Sequence, residues 1–296
     1  MNAYPFIEAE KAERRNVTRA CELMEVSRSA FYDWHQHQPT RRELDDAELA
    51  GRIAEIHADS RGTYGAPRVH AELRRQGFHL ARKRVARIMA AQGLAGRCKR
   101  RWKRTTIADP EAQAAVDLIK RAFGPGTVEC DRAYVGDITY LRTWEGWAYL
   151  ATVIDLASRR VVGWAIADHM ETSLVCDALK MAIAARRPGP GFVFHADRGS
   201  QYTSTEFRRL LADHQGVQSL SRKGQCWDNS VAESWFATLK TELIYRHSWA
   251  TIAQVRRAVF EFVEIFYNRR RLHSSLGYLT PVEYEHNLLH PAAQAA

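Results

Sequence analysis

The sequence is poor in the residues that build disulfide frameworks and soft metal sites. Its five cysteines, Cys21, Cys98, Cys130, Cys176 and Cys226, all stand more than 30 residues apart, so there is no CxxC pair and no cystine scaffold. His35 and His37 have no cysteine pair at ligand spacing, which argues against structural zinc. Long apolar runs are missing too. The longest, Trp147 to Ile154, has eight residues broken by Thr152, far short of the ~18 that a membrane helix needs. The opening stretch MNAYPFIEAEKAERR has no apolar signal core. These absences predict a cytoplasmic protein with reduced thiols and no membrane contact.

Acid is scarce in one region only. Residues 1–107 hold 22 Lys and Arg against 13 Asp and Glu, whereas residues 108–296 hold 21 of each. The whole net charge of +9 therefore sits in the first third, which points to an anionic polymer as partner. A chain of 296 residues has room for two or three domains.

The N-terminal third reads as short helices between turn signals. Val17 to Trp34 carries apolar residues at Ala20, Leu23, Met24 and Phe31, is broken at Glu25-Val26-Ser27, and has Ser27 as N-cap of a second helix. That is a helix-turn-helix pattern, with Arg28 and Ser29 where base edges are read; a small helical bundle without a ligand fits it equally. A second helical unit follows: Leu49 to Ala58, the turn GTYGAP at 62–67, a helix from Pro67 to about Gln76, and another from Arg82 to Gln92. The last opens with Arg82, Lys83, Arg84 and Arg87. The run RCKRRWKR then adds Arg97, Lys99, Arg100, Arg101, Lys103 and Arg104 around Trp102, a composition suited to phosphate contact. Residues 106–127 read as a linker around one helix at 111–123.

From about 128 the pattern is mixed α/β. Strand-like runs occupy 133–142, 147–156 and 160–167, followed by a helix at 171–186 and a strand from Gly191 to Ala196. A helix near 204–213, the strand VQSL at 217–220 and a helix at about 229–244 complete it. Three meander strands and then α-β-α-β-α is the order of a ribonuclease H-like core, a mixed five-stranded sheet flanked by helices. The expected divisions are 1–40 and 41–105 (both helical), the linker 106–127, the core 128–248 and a helical extension 249–296.

Three carboxylates stand out in that core. Asp137 lies inside the first strand, where an ionised side chain is costly unless paired or bound to a cation. Asp197 ends the apolar run GFVFHAD, and Glu233 lies on the helix NSVAESWFATLKTEL. Two-metal phosphoryl transfer needs oxygen ligands of this type. The spacing from Asp197 to Glu233 is weak by itself, because Asp109–Glu145 and Asp228–Glu264 share it; context favours the first pair. Ala232, Trp235, Phe236, Leu239 and Leu243 form the apolar arc of the Glu233 helix, with Glu233 and Lys240 at its margin. A surface salt-bridge face would look the same.

The strings DITYLRTWEGWAYLATVIDLASRRVVGW, HADRGSQYTS, GQCWDNSVAESWFATLKTE and YNRRRLHSSLGYLTPVEY resemble the integrase core of insertion-sequence transposases. More narrowly, together with GTYGAPRVHAELRRQG, they resemble the second-frame (OrfB) product of the insertion-sequence-three family. That resemblance implies a DDE-type DNA transposase that cuts and joins strands. It implies Mg²⁺, two ions with Mn²⁺ able to substitute, on Asp137, Asp197 and Glu233, and contact between Lys240 and the element's end. The family usually has Ser where Ala196 stands. Arg269, Arg270 and Arg271, near His273, are implied to meet DNA or another subunit. His195 shares a strand face with Asp197 and is placed to orient the cleft. Asp155 reads as a turn or hydrogen-bonding residue, with a supporting role in the site as the alternative, and Asp228 and Asn229 as caps of the glutamate helix rather than metal ligands.

The implied partners are the element's terminal inverted repeats, target DNA and further copies in a multimer on DNA. The resemblance also implies a circular intermediate and a frameshift fusion with an upstream helix-turn-helix and leucine-zipper product. The chain opens on its own Met1 and has no long heptad repeat, which leaves open whether it acts alone. Two other functions use the same features: a ribonuclease H-like nuclease that does not join strands, and a catalytically silent DNA-binding regulator.

Overall fold

The computed structural model describes residues 3–36, 38–97, 127–221 and 230–290. The chain divides into two compact units, 1–53 and 54–296.

In the first unit, α1 (Tyr4–Ala12), α2 (Val17–Leu23) and α3 (Arg28–His35) enclose Ile7, Ala20, Cys21 and Phe31. Asn16 caps α2 by accepting from the Thr18 and Arg19 backbone N–H groups. Ser27 caps α3 by accepting from Ala30 N at 3.1 Å. Glu25, at φ 53°, turns the chain between them, so the break falls where the sequence placed it. Helix α1 has no counterpart in the sequence reading, because Ile7 is its one buried side chain; its local signal is Pro5 in the first turn. Helix α4 (Arg41–Asp59) starts eight residues before the periodic stretch. Thr40 opens it with a capping box, its N–H donating to Glu43 Oε2 while its hydroxyl accepts from Glu43 N.

In the second unit, α5 (Ala66–Arg75) and α6 (Arg82–Ala91) pack together and run out at Gly77 and Gly93, both at positive φ. The α/β part runs β1 (Ala133–Arg142), β2 (Trp147–Asp155), β3 (Val161–Ala167), α7 (Thr172–Arg186) and β4 (Val193–Ala196). It continues through α8 (Ser200–Thr203), α9 (Thr205–Asp213), β5 (Val217–Leu220) and α10 (Ser230–Glu242). Then come α11 (Ile252–Phe260), which continues as a π-helical stretch Glu261–Tyr267, and α12 (Pro281–Leu289).

The strands form one mixed sheet in the order β3-β2-β1-β4-β5. The three meander strands are antiparallel and the β1–β4 and β4–β5 pairs parallel, which is the ribonuclease H-like arrangement. Alternation along the strands sorts the two faces. Tyr134, Ala151, Val153, Phe194 and Ala196 face α7 and α9, where Phe192, Phe194 and Phe207 are almost wholly buried and each contributes about 1.5–3 kcal/mol. The opposite face of β1 carries Val135, Asp137, Thr139 and Leu141, and α10 lies against this strand.

The C-terminal segment is tied to the sheet by polar contacts. The Asn268 amide both donates to Val161 O and accepts from Val161 N. Glu285 of α12 pairs with Arg160 and Arg186. Among the described residues no helix is long and apolar enough to cross a membrane.

Candidate active site

Strand register brings the first two acids together. The β1–β4 ladder pairs Ala133 with Val193, Tyr134 with Phe194 and Val135 with His195. Two residues further along each parallel strand, on the same face as Val135 and His195, stand Asp137 and Asp197. Asp197 follows the last residue of β4 and is exposed, whereas Asp137 is inside β1 and half-buried.

Glu233, exposed, and Lys240, half-buried, come to the same face from α10. The arc Ala232, Trp235, Phe236 and Leu239 is buried and seats the helix, leaving the acid and the cation at its margin.

Electrostatics report the convergence. Burial pushes the Asp137 carboxyl up to about 7, and the charges of Asp197 and Glu233 push the same way; the Ile138 N–H and Lys240 pull it down. The wholly buried Tyr202 phenol is raised first by burial and then by both Asp137 and Asp197. Burial also raises Glu233 and lowers Lys240, the latter opposed by the Asp137 charge. Lys240 Nζ lies 5.1 Å from the Tyr140 ring centroid.

One oxygen of each aspartate is fixed by backbone. Asp137 Oδ1 accepts from Ile138 N at 2.8 Å, and Asp197 Oδ1 accepts from Gly199 N at 2.9 Å. Among the described residues, no group of three acid, His or Cys side chains is gathered closely enough to hold a metal ion as it stands.

The donor set fits a hard divalent cation: three carboxylates, of which Asp137 is raised first by burial and then by the Asp197 and Glu233 charges, a cost that a bound cation would offset. Thr152, directly opposite Asp137 in β2 and so on the same face, adds a second sign. Its hydroxyl, on a residue 1% exposed, has no hydrogen-bond partner among the described residues. Sequence reading missed Thr152, since nothing in TVID marks a polar residue opposite an acid.

The remaining predicted residues divide. His195 is fully buried, with Nδ1 2.9 Å from Ser219 Oγ and Nε2 3.2 Å from Ser221 Oγ, so it braces β4 against β5 beneath Asp197. Arg28 and Ser29 are exposed at the start of α3; Arg82, Lys83 and Arg87 are exposed on α6, Arg84 half-buried there, and Arg97 exposed beyond it. Residues 54–107 hold 14 Lys and Arg against 3 Asp and Glu, so the excess of the first third belongs to the second unit. Arg269 and Arg270 are exposed, and His273 is half-buried with Nδ1 2.9 Å from Ser275 Oγ.

Arg271 requires a correction. It is 3% exposed and its guanidinium donates twice to Glu242, at 2.7 and 2.6 Å, so it is an internal ion-pair partner and presents nothing to DNA. Three adjacent arginines read as one patch, but the chain turn at 269–272 points the third inward. Asp155, wholly buried, accepts from Ser158 N, Ser158 Oγ and Asp131 N and holds the turn after β2. Lys99, Arg100, Arg101, Lys103, Arg104, Asn229 and the helix expected at 111–123 lie outside the described residues.

The integrase core domain family matches residues 128–226 and a second integrase core domain family matches 215–281; an HTH-like domain family matches 43–102. The chain is 41% identical over 269 residues to the protein assigned as transposase for insertion sequence element IS986/IS6110 of Mycobacterium tuberculosis (strain ATCC 25618 / H37Rv), covering 88% of this chain and 95% of the relative. It is 37% identical over 296 residues to transposase InsF for insertion sequence IS3A of Escherichia coli (strain K12), covering 97% and 99%. Among solved structures, the HTLV-2 integrase catalytic core domain in complex with magnesium aligns with 54% of this chain and 99% of its own, at 14% identity and a TM-score of 0.41. On its matched domains and its near full-length relatives, the chain belongs to the IS3 family of insertion-sequence transposases and is a transposase of the DDE type.

Proposed function

We infer that Asp137, Asp197 and Glu233 are the acids that cleave DNA at the ends of the mobile element and join the freed 3′-OH to a new phosphodiester. The observation that carries this reading is the β1–β4 register, which sets Asp137 and Asp197 at neighbouring positions, with the Glu233 helix α10 packed against β1. The three would hold divalent cations, Mg²⁺ in two sites with Mn²⁺ able to substitute. When bound, such ions supply Lewis acidity at the phosphoryl oxygens and lower the pKa of an attacking hydroxyl.

The chain's own part is positioning and charge. Backbone N–H groups hold one oxygen of Asp137 and one of Asp197, leaving the second oxygen of each for a ligand. Lys240 reaches the cleft beside Asp137 and offers its ammonium to a strand phosphate. In cleavage, water attacks phosphorus at the element's end and the P–O3′ bond breaks, leaving a 3′-OH and a 5′-phosphate. In joining, that 3′-OH attacks a second phosphodiester, so one P–O3′ bond forms as another breaks. No covalent enzyme intermediate and no external energy source are needed.

Exposed Arg82, Lys83 and Arg87 serve as phosphate contacts that register the duplex. Two ends must meet for joining, so the working form is a multimer on DNA, with an upstream-frame product as fusion partner. Incubation with Mg²⁺ and DNA spanning both flanks of the gene, beside an Asp197→Asn control, tests the reading. Nicks with free 3′-OH ends, together with joined ends, are expected from the native protein or its upstream-frame fusion and not from the matching Asp197→Asn control. Activity that survives Asp197→Asn overturns it, and cleavage without any joined product assigns the site to a nuclease.

A further inference from the structure

Against Lys240, the second unit holds a cavity of about 530 Å³ with five Trp and Tyr side chains in its walls. Tyr140 and Trp147 come from β1 and β2, Trp144 from the hairpin between them, and Tyr245 and Trp249 from the segment after α10. Trp144 is 80% and Tyr245 75% exposed, and Tyr140 and Trp147 are about half exposed. Large aromatic surface grouped in water rather than in the core marks a binding surface.

The rim is preformed. Trp144 N donates to Trp249 O and Glu145 N to Ala250 O, while Glu145 Oε2 accepts from Ile252 N at 2.7 Å, which pins the hairpin tip. Trp249 Nε1 donates to Ile244 O. Tyr140 and Trp147 pack edge to face at 5.3 Å.

Charge identifies the occupant. Lys240 and Arg142 line the cavity and no Asp or Glu does, among the described residues. Lys240 is also the link to the acids: it lies over Tyr140 and feels the Asp137 charge. A strand whose phosphate meets Lys240 would place the neighbouring base among these rings.

We propose that this aromatic cavity is a stacking site for unpaired nucleotides of the DNA strand held at the acids. The proposal rests on the active-site reading above, and adds to it that the strand end is held out of the duplex. Stacking on aromatic faces tolerates every base, so the site grips the strand without reading its sequence. It would suit DNA whose terminal pairs are opened before the phosphodiester reaches Asp137.

The test compares fluorescence-anisotropy binding of oligothymidylate with an abasic strand of equal length, which has the same phosphates and no bases. The full chain is used at fixed salt without divalent cation. The native protein is expected to bind oligothymidylate on the order of tenfold more tightly. Trp144→Ala and Tyr245→Ala, both at exposed positions, are expected to lose most of that preference while keeping the native circular dichroism and the affinity for the abasic strand. Equal native affinities for the two strands, or an unchanged preference in both variants, would overturn the proposal. So would variants that dissociate from a multimer in sedimentation while keeping the preference, which would make the surface a contact between copies. Because no chemistry is read, failure here leaves the Asp197→Asn experiment independent.

Discussion

Glu242 and Arg271 meet through two hydrogen bonds of 2.6 and 2.7 Å, with 5% and 4% of their side chains exposed. The pair joins the end of α10, which carries Glu233, to the C-terminal segment. Removing one partner strands a buried charge, so Arg271→Ala is expected to cost about 3–5 kcal/mol. Arg269→Ala and Arg270→Ala, both at exposed positions, are expected to stay within about 0.5 kcal/mol. Urea denaturation of the three variants checks this; comparable losses in all three would contradict the buried-pair assignment.

Asp137 gives stability a dependence on pH. Its folded pKa is raised from 3.8 to about 7 by burial first and then by Asp197 and Glu233, so the folded state holds the proton more tightly than the unfolded chain. Protonation therefore favours the fold. The contribution is complete below about 4 and lost as pH rises through about 7. In chelator, the native protein should lose stability relative to Asp137→Asn across that window. Added Mg²⁺ should restore it above pH 7 and have little effect near pH 5, where the proton competes. Urea midpoints measured across pH, with and without Mg²⁺, decide; native and variant curves that stay parallel would count against the coupling.

The sheet was legible because its chemistry is local. The runs at 133–142 and 217–220 are strands with those ends, and the acids of β1, the end of β4 and α10 could be named from strand and helix context. Pairwise placement was not legible. The register that sets Asp137 beside Asp197 belongs to a parallel pair separated by β2, β3 and α7, and no short-range pattern encodes it. For the same reason Arg271 looked like its exposed neighbours. Only the position of Glu242, 29 residues earlier, turns it inward. The aromatic cavity joins two stretches rich in Trp and Tyr, YLRTWEGW at 140–147 and YRHSW at 245–249, and nothing in the sequence pattern brings the two together.

The helical part of the second unit should report its binding to phosphates through salt. Arg82 and Lys83 stand exposed at the start of α6, whose inner side buries Val85, Ile88 and Met89. Replacing either with Ala should leave stability nearly unchanged and weaken duplex binding. Removing one cation that neutralises a phosphate lowers the slope of log K against log salt by about 1. Binding titrations over a range of salt concentrations check this, and an unchanged slope would remove these side chains from the DNA interface.

Gly136 is the closest backbone constraint on the site. A Cβ there would lie 2.3 Å from Phe194 Cζ and 2.7 Å from Cε1. That ring cannot swing aside, because it is 1% exposed and backed by Phe207 at 5.1 Å and Tyr202 at 6.0 Å. Gly136→Ala must therefore push β1 away from β4 immediately before Asp137 and Asp197. Overpacking of this kind costs about 1–3 kcal/mol. Strand cleavage should fall further than stability explains, since a displacement near 1 Å at a reacting centre can cost on the order of a hundredfold in rate. Gly136→Ala paired with Phe194→Leu, which vacates the space the new methyl needs, should recover part of the cleavage rate although Phe194→Leu alone lowers stability. Cleavage rates beside thermal midpoints for the two single variants and the double variant make the comparison. A double variant no faster than Gly136→Ala would mean that strand spacing does not set the geometry of the two aspartates.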